Sequence, residues 1–456
     1  MSKLNRDIFY IIFEELQNDR NTLFSCLFVN RICCKMVIPI LWKNPWNLSN
    51  FVNMDILRSV IISHLPEEVL NRDTENLYYE KPSFNYIRFC KYMDFGQIMK
   101  IITSTHNSFR EEIIKLFVNK DMKYTHLNLG NMIRSFEYQL SLIPEIENCF
   151  SEIEFLSCYT RINDSVLTRL TGLCNSIREL ELFIEVGDNN NKFIKLIENQ
   201  KKLVNVHFIN VRKERNDEPF CRSLENTLVA KHVNTVHSLT INKQPITKFL
   251  SSFVNLISLE INSDDVFKTW RCIENLKLPF LQFLKTSRVS ANPLISLIKN
   301  TGRHLVLIKI DDILYDEYHN RRIIEAIYQN CPKLKYLKLE FKNRNVPELE
   351  NLLANCKYLN GLFITMMDRF SNSENFFDIL SKSSPESLFK FKFSFWNTKI
   401  SLETVKLFLD NWKGRYPILL QSHNMKEHSD LIEEYKTKGV IKKYDHQLRG
   451  DYFEWF

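Results

Sequence analysis

NCPKLKYLKL, residues 330–339, decides how this chain folds. Leu334, Leu337 and Leu339 follow a fixed order: an apolar residue, two variable ones, an apolar residue, one variable, an apolar residue. Strict alternation over the last three positions is the pattern of a strand with one buried face. NCKYLNGLFI, residues 355–364, repeats it with Leu359, Leu362 and Ile364. Working outward, the same spacing returns at Leu305/Ile308/Ile310, Leu281/Leu284/Thr286, Leu256/Leu259/Ile261, Val236/Leu239/Ile241, Leu203/Val206/Phe208, Ile177/Leu180/Leu182 and Ile153/Leu156/Cys158. Toward the other end it returns at Leu388/Phe391/Phe393, and Tyr124/Leu127/Leu129 reads as an earlier copy. Between these hexamers apolar residues fall at helical spacing, as in Leu349, Leu352, Leu353 and Cys356, or Phe193, Ile194 and Ile197. A strand followed by a helix in a short repeated unit predicts an α/β chain with parallel strands.

The copies lie roughly 20–33 residues apart, close to the period of leucine-rich repeats. Residues 330–339 and 355–364 resemble that family most, and the resemblance extends over most of the chain. It implies a curved solenoid with one parallel strand per repeat. One departure is visible: where the family keeps Asn or Cys three residues after the last core position, this chain has Val211, Gln244, Ile313, Lys342 and Met367. Cys174, Cys331 and Cys356 each lie three residues before the first apolar position of a strand. That recurrence points to a buried niche, since free cysteine packs as a small apolar residue.

Side chains between the core positions of a strand fall on its opposite face. Glu179, Glu181 and Glu260 make the early strands acidic, whereas Lys285, Lys309, Lys338, Lys390 and Lys392 make the later ones basic. Tyr336 and Phe363 stand among those lysines. The expectation is a protein partner with an acidic, partly apolar motif, held by Tyr336, Lys338, Phe363, Lys390 and Lys392.

Ahead of the repeats, Ile8, Phe9, Tyr10, Ile11, Ile12, Phe13 and Leu16 make a helix apolar nearly all round, where a surface helix needs only a stripe. Helices are predicted at about residues 7–16, 22–28 and 33–40, too small a piece to bury that much apolar surface alone. Residues 4–42, LNRDIFYIIFEELQNDRNTLFSCLFVNRICCKMVIPILW, resemble an F-box of the fungal type. The resemblance implies docking on the Skp adaptor of a Skp-cullin-F-box ubiquitin ligase while the repeats bind the substrate. Leu4, Asn5, Ile8, Ile12, Leu23, Cys26 and Val29 occupy the adaptor-binding positions it implies. Asn5 stands where the family has Pro, and Cys33 where it has Trp. The reading from the residues alone leaves a second role open, a stand-alone leucine-rich scaffold whose helices cap the solenoid.

The expected layout is an F-box-like segment at 1–46, a helical connector at 47–120, the solenoid at 121–430 and a terminal cap and tail at 431–456. A last helix and strand are read at 431–435 and 439–444. The composition suits a folded chain, with 44% hydrophobic and 25% charged residues. Its charge of +7 is spread along the chain, without the basic stripe of a nucleic-acid reader. Cys221, His232 and His237 are the nearest approach to a metal cluster, and they lack a fourth ligand. With 9 Gly and no phosphate loop, HExxH or GxSxG motif, neither an enzyme nor a cofactor site is expected. No apolar run approaches the ~18 residues of a membrane span, and Glu14 and Glu15 interrupt the first one. An intracellular protein, cytoplasmic or nuclear, is the expectation.

Overall fold

A computed structural model describes residues 6–446 apart from 18, 51–53, 72–79, 106–108, 131–145, 186, 188, 190, 212–217, 266–267, 313–315, 367–372 and 396–399. Leu4, Asn5, Ile313, Met367 and the terminal DYFEWF lie outside the described residues. The chain divides into two compact units, residues 1–203 with 215–220, and residues 204–214 with 221–456.

The first unit opens with helices α1 (Arg6–Glu15), α2 (Arg20–Cys26) and α3 (Arg31–Trp42). Four parallel strands follow in chain order, β1 (Tyr92–Asp94), β2 (His126–Gly130), β3 (Phe155–Tyr159) and β4 (Glu179–Ile184). The ladder thus begins inside the segment read as a connector. Cys90, Met93 and Phe95 follow the repeat spacing and are buried, with Cys and Met in the leucine positions. Trp46 closes the outer edge of this ladder: its indole N–H donates to the Tyr92 carbonyl at 2.6 Å, and its ring packs 5.5 Å from Phe117.

The second unit carries β5 (Asn205–Asn210), β6 (Ser238–Ile241), β7 (Ser258–Asn262), β8 (Phe283–Ser287), β9 (Leu307–Asp311), β10 (Tyr336–Glu340), β11 (Gly361–Met366), β12 (Lys390–Phe395), β13 (Ile418–Ser422) and β14 (Ile441–Asp445). All pair in parallel with their sequence neighbours. The leucine pattern omits β13, because buried Ser422 stands in register with Phe393 of β12 and Pro417 falls where β12 has Leu388. Each hexamer puts its apolar residues on the inner face, and Leu334, Leu337 and Leu339 have no exposed surface. Helices such as Glu317–Asn330 and Glu348–Asn355 lie between strands, while β6–β7 and β7–β8 are joined through short 3-10 turns at Phe249–Ser252 and Arg271–Ile273. Together these elements make the α/β repeat of leucine-rich type.

Asparagines do hold the turns, from positions the family spacing does not mark. Asn242 accepts from the Asn210 amide at 2.7 Å and donates to the Asn210 carbonyl at 2.8 Å. Asn424 clamps Phe395 in the same way, at 2.9 and 2.7 Å. After β10 the clamp comes from the preceding helix: buried Asn320 donates to the Glu340 carbonyl at 2.7 Å and accepts from the Lys342 amide at 3.0 Å and the Asn345 side chain at 2.8 Å.

The recurring cysteine niche is the C-terminal end of a helix. Cys174, Cys331 and Cys356 each end one, and all three are buried. Gln200 takes the equivalent place before β5, donating to the Cys174 carbonyl at 2.8 Å and accepting from the Ile177 amide at 2.9 Å. Burial pushes the thiols of Cys174 and Cys356 up to about 12, and that of Cys331 well up too. Only the thiolate is nucleophilic, so these residues are chemically quiet. Ellman's reagent at pH 8 is expected to label half-buried Cys26 and Cys34 in the folded chain, Cys272 more slowly, and the buried thiols only after unfolding. Early labelling of Cys331 or Cys356 would contradict this placement.

Candidate binding surfaces

In the N-terminal helices both α1 and α2 pack on α3. Asp19 caps α2, accepting from the Thr22 amide at 3.2 Å, and Asn30 caps α3, accepting from the Ile32 and Cys33 amides at 2.9 Å each. These caps satisfy helix-end donors that would otherwise be left open. Phe13, Leu23, Cys33, Val37, Ile38, Leu41 and Trp42 fill the interior, and that exhausts what so small a piece can enclose. Ile8, Ile11 and Ile12, one stripe of α1, remain outside, as do Phe28 and Val29 in the α2–α3 turn and Ile32 at the start of α3. Phe28 is 88% exposed, Val29 67% and Ile11 60%.

Of the residues singled out by resemblance, then, Ile8, Ile12 and Val29 are exposed, Cys26 is half-buried and Leu23 is wholly interior. Ile11, Phe28 and Ile32 were missed. The signal for Ile11 was present, since it lies three residues after Ile8 on one helical face. Phe28 gave none, because an aromatic residue after a helix end reads equally as core.

On β9–β13 the open face of the sheet carries one row in register: Lys309, Lys338, Phe363, Lys392 and Gln421. The ammonium groups of Lys338 and Lys392 lie 4.6 and 4.7 Å from the centre of the Phe363 ring. Asp311 reaches both Lys338, at 2.6 Å, and Lys309, at 3.0 Å. Lys338, Phe363 and Lys392 are all buried, so these lysines lie down against the ring instead of standing out from the face. Tyr336 and Lys390 stay half-exposed in the next row, the Lys390 ammonium 5.5 Å from the Tyr336 ring. Burial holds Lys390 below its ordinary pKa. The sequence reading thus placed all five on one face, and the structure leaves two of them within reach of a partner. On β7 and β8, Glu260 and Lys285 pair with each other at 3.5 Å.

Among the described residues no three His, Cys, Asp or Glu converge as for a metal ion, and no helix is long and apolar enough to cross a membrane. No known family profile matches the chain, and no curated protein does. Among solved structures it is similar to the leucine-rich repeat-containing protein LegL7 from Legionella pneumophila. That similarity is at 12% identity, over 71% of this chain and 97% of that one, with a TM-score of 0.34.

Proposed function

We propose that this chain is a non-catalytic recognition subunit: its N-terminal helices dock on a Skp adaptor, and through it on a cullin, while its repeats hold a protein destined for ubiquitin transfer. The observation that carries this reading is the apolar surface left open on α1–α3. Water-exposed isoleucine, phenylalanine and valine concentrated on three short helices mark an interaction site. Each such side chain contributes roughly 1.5–3 kcal/mol when fully buried. The likeness of residues 4–42 to an F-box names the adaptor as the occupant. The chemistry of ubiquitin transfer then belongs to other subunits, and this chain supplies proximity.

The test is direct binding of the purified chain to a Skp adaptor by calorimetry. Submicromolar affinity is expected. No measurable binding would leave a stand-alone leucine-rich interaction scaffold with a degenerate F-box.

A further inference from the structure

The open face of the first unit's sheet is chemically unlike that of the second. Its positions are Tyr92, Asp94, His126, Asn128, Phe155, Ser157, Tyr159, Glu179, Glu181 and Phe183; three are carboxylates and none is Lys or Arg. The strand register orders them into rows. Tyr92, His126, Phe155 and Glu179 are neighbours across β1–β4. Within that row Tyr92 stacks on His126 with ring centres 3.8 Å apart, and His126 on Phe155 at 5.5 Å. Burial lowers the His126 pKa, so this ring is neutral at pH 7 and serves as part of the aromatic run.

Asp94, Asn128, Ser157 and Glu181 form the next row. Asn128 donates to Asp94 at 3.1 Å, and the Ser157 hydroxyl donates to Glu181 at 2.6 Å. These bonds fix the carboxylates in place, and each keeps lone pairs beyond the ones engaged. Beyond them Tyr159 stacks on Phe183 at 4.9 Å. Rows two residues apart along a strand are separated by roughly 6.6 Å. A row holding two carboxylates therefore runs between two sets of stacked rings, and all the rings are half-exposed.

We propose that this face binds an arginine-bearing segment of a protein partner. A guanidinium is planar: it can lie flat on an aromatic ring while its edge donates to a carboxylate. An ammonium offers the charge without the stacking plane. Burial also pushes the Asp94 carboxyl above its ordinary range, so a cation arriving beside it replaces solvation the group has lost. The chain as a whole carries +7, so general electrostatics oppose a cationic ligand and local geometry must supply the attraction. The partner chemistry is opposite to that expected for the lysine-bearing strands β8–β12, and the proposal does not depend on adaptor docking.

The experiment is calorimetric titration of the full chain, without adaptor, with hexa-arginine and separately with hexa-lysine. Hexa-arginine is expected to bind more tightly. The double variant Asp94→Asn/Glu181→Gln removes both charges while keeping one oxygen for the Gln97 amide and one for the Ser157 hydroxyl, and should weaken hexa-arginine about tenfold. Phe155→Leu keeps the apolar volume, loses the ring, and should narrow the gap between the two peptides. Glu260→Gln, in the second unit, should change nothing. No binding by the intact chain, equal affinity for the two peptides, or first-unit variants that bind like the parent would each overturn the proposal.

Discussion

Replacing Phe28 by aspartate is expected to lower affinity for the Skp adaptor about a hundredfold, or ~2.7 kcal/mol, while leaving the fold intact. The side chain is 88% exposed, so the free chain gains almost nothing from it. Surface substitutions of this kind usually change stability by less than ~0.5 kcal/mol. In the complex the same position would bury a charge against apolar atoms, which is costly without a partner group. Ile11→Asp, on the exposed stripe of α1, is expected to act in the same direction. Leu23 cannot serve this purpose, although it belongs to the same set by resemblance: it is only 1% exposed, and an aspartate there would unfold the three helices. The decisive data are paired isotherms and thermal melts. Unchanged adaptor affinity in both exposed-site variants would remove these helices from the docking surface.

Asn320→Leu is expected to destabilise the second unit by about 3–5 kcal/mol, the sum of several buried polar groups left unpaired. Asn320 has no exposed surface and serves three partners, the Glu340 carbonyl, the Lys342 amide and the Asn345 side chain. Leucine has similar size and no polar atom, so packing is nearly kept while all three partners lose their bond. Asn345, the neighbouring side chain, already donates to the Glu317 carbonyl at 2.7 Å. Urea unfolding followed by circular dichroism measures the effect. A loss below about 1 kcal/mol would show that the turn finds other partners.

The fold was largely legible because its core positions are leucine and isoleucine at a spacing that no other short unit keeps. It failed where chemistry substituted for hydropathy. Cys90 and Met93 fill leucine positions in β1, and in β13 buried Ser422 takes the place that Phe393 fills in β12. The turn asparagines escaped notice because they work from neighbouring offsets, Asn242 directly after its strand and Asn320 on a helix twenty residues before the carbonyl it serves. The binding faces were half legible. Alternation alone placed Lys338, Phe363 and Lys392 together, since register follows from the repeat. Whether a lysine stands up from a strand or lies across the ring beside it depends on the neighbouring strand's side chain, which only three-dimensional pairing reveals. On α1 the helical period showed which residues share a stripe, but not which stripe α3 would cover.

Strand pairing that never skips a neighbour also governs how the second unit comes to be folded. Each of β6–β14 is joined in order to the strand made just before it. Its ladder contacts therefore span about one repeat of sequence, and low contact order of this kind favours rapid folding. Loop closure never has to bridge the length of the unit. During synthesis, each repeat leaving the ribosome meets a finished template directly upstream, so assembly can proceed in the order of translation, from Asn205 toward Asp445.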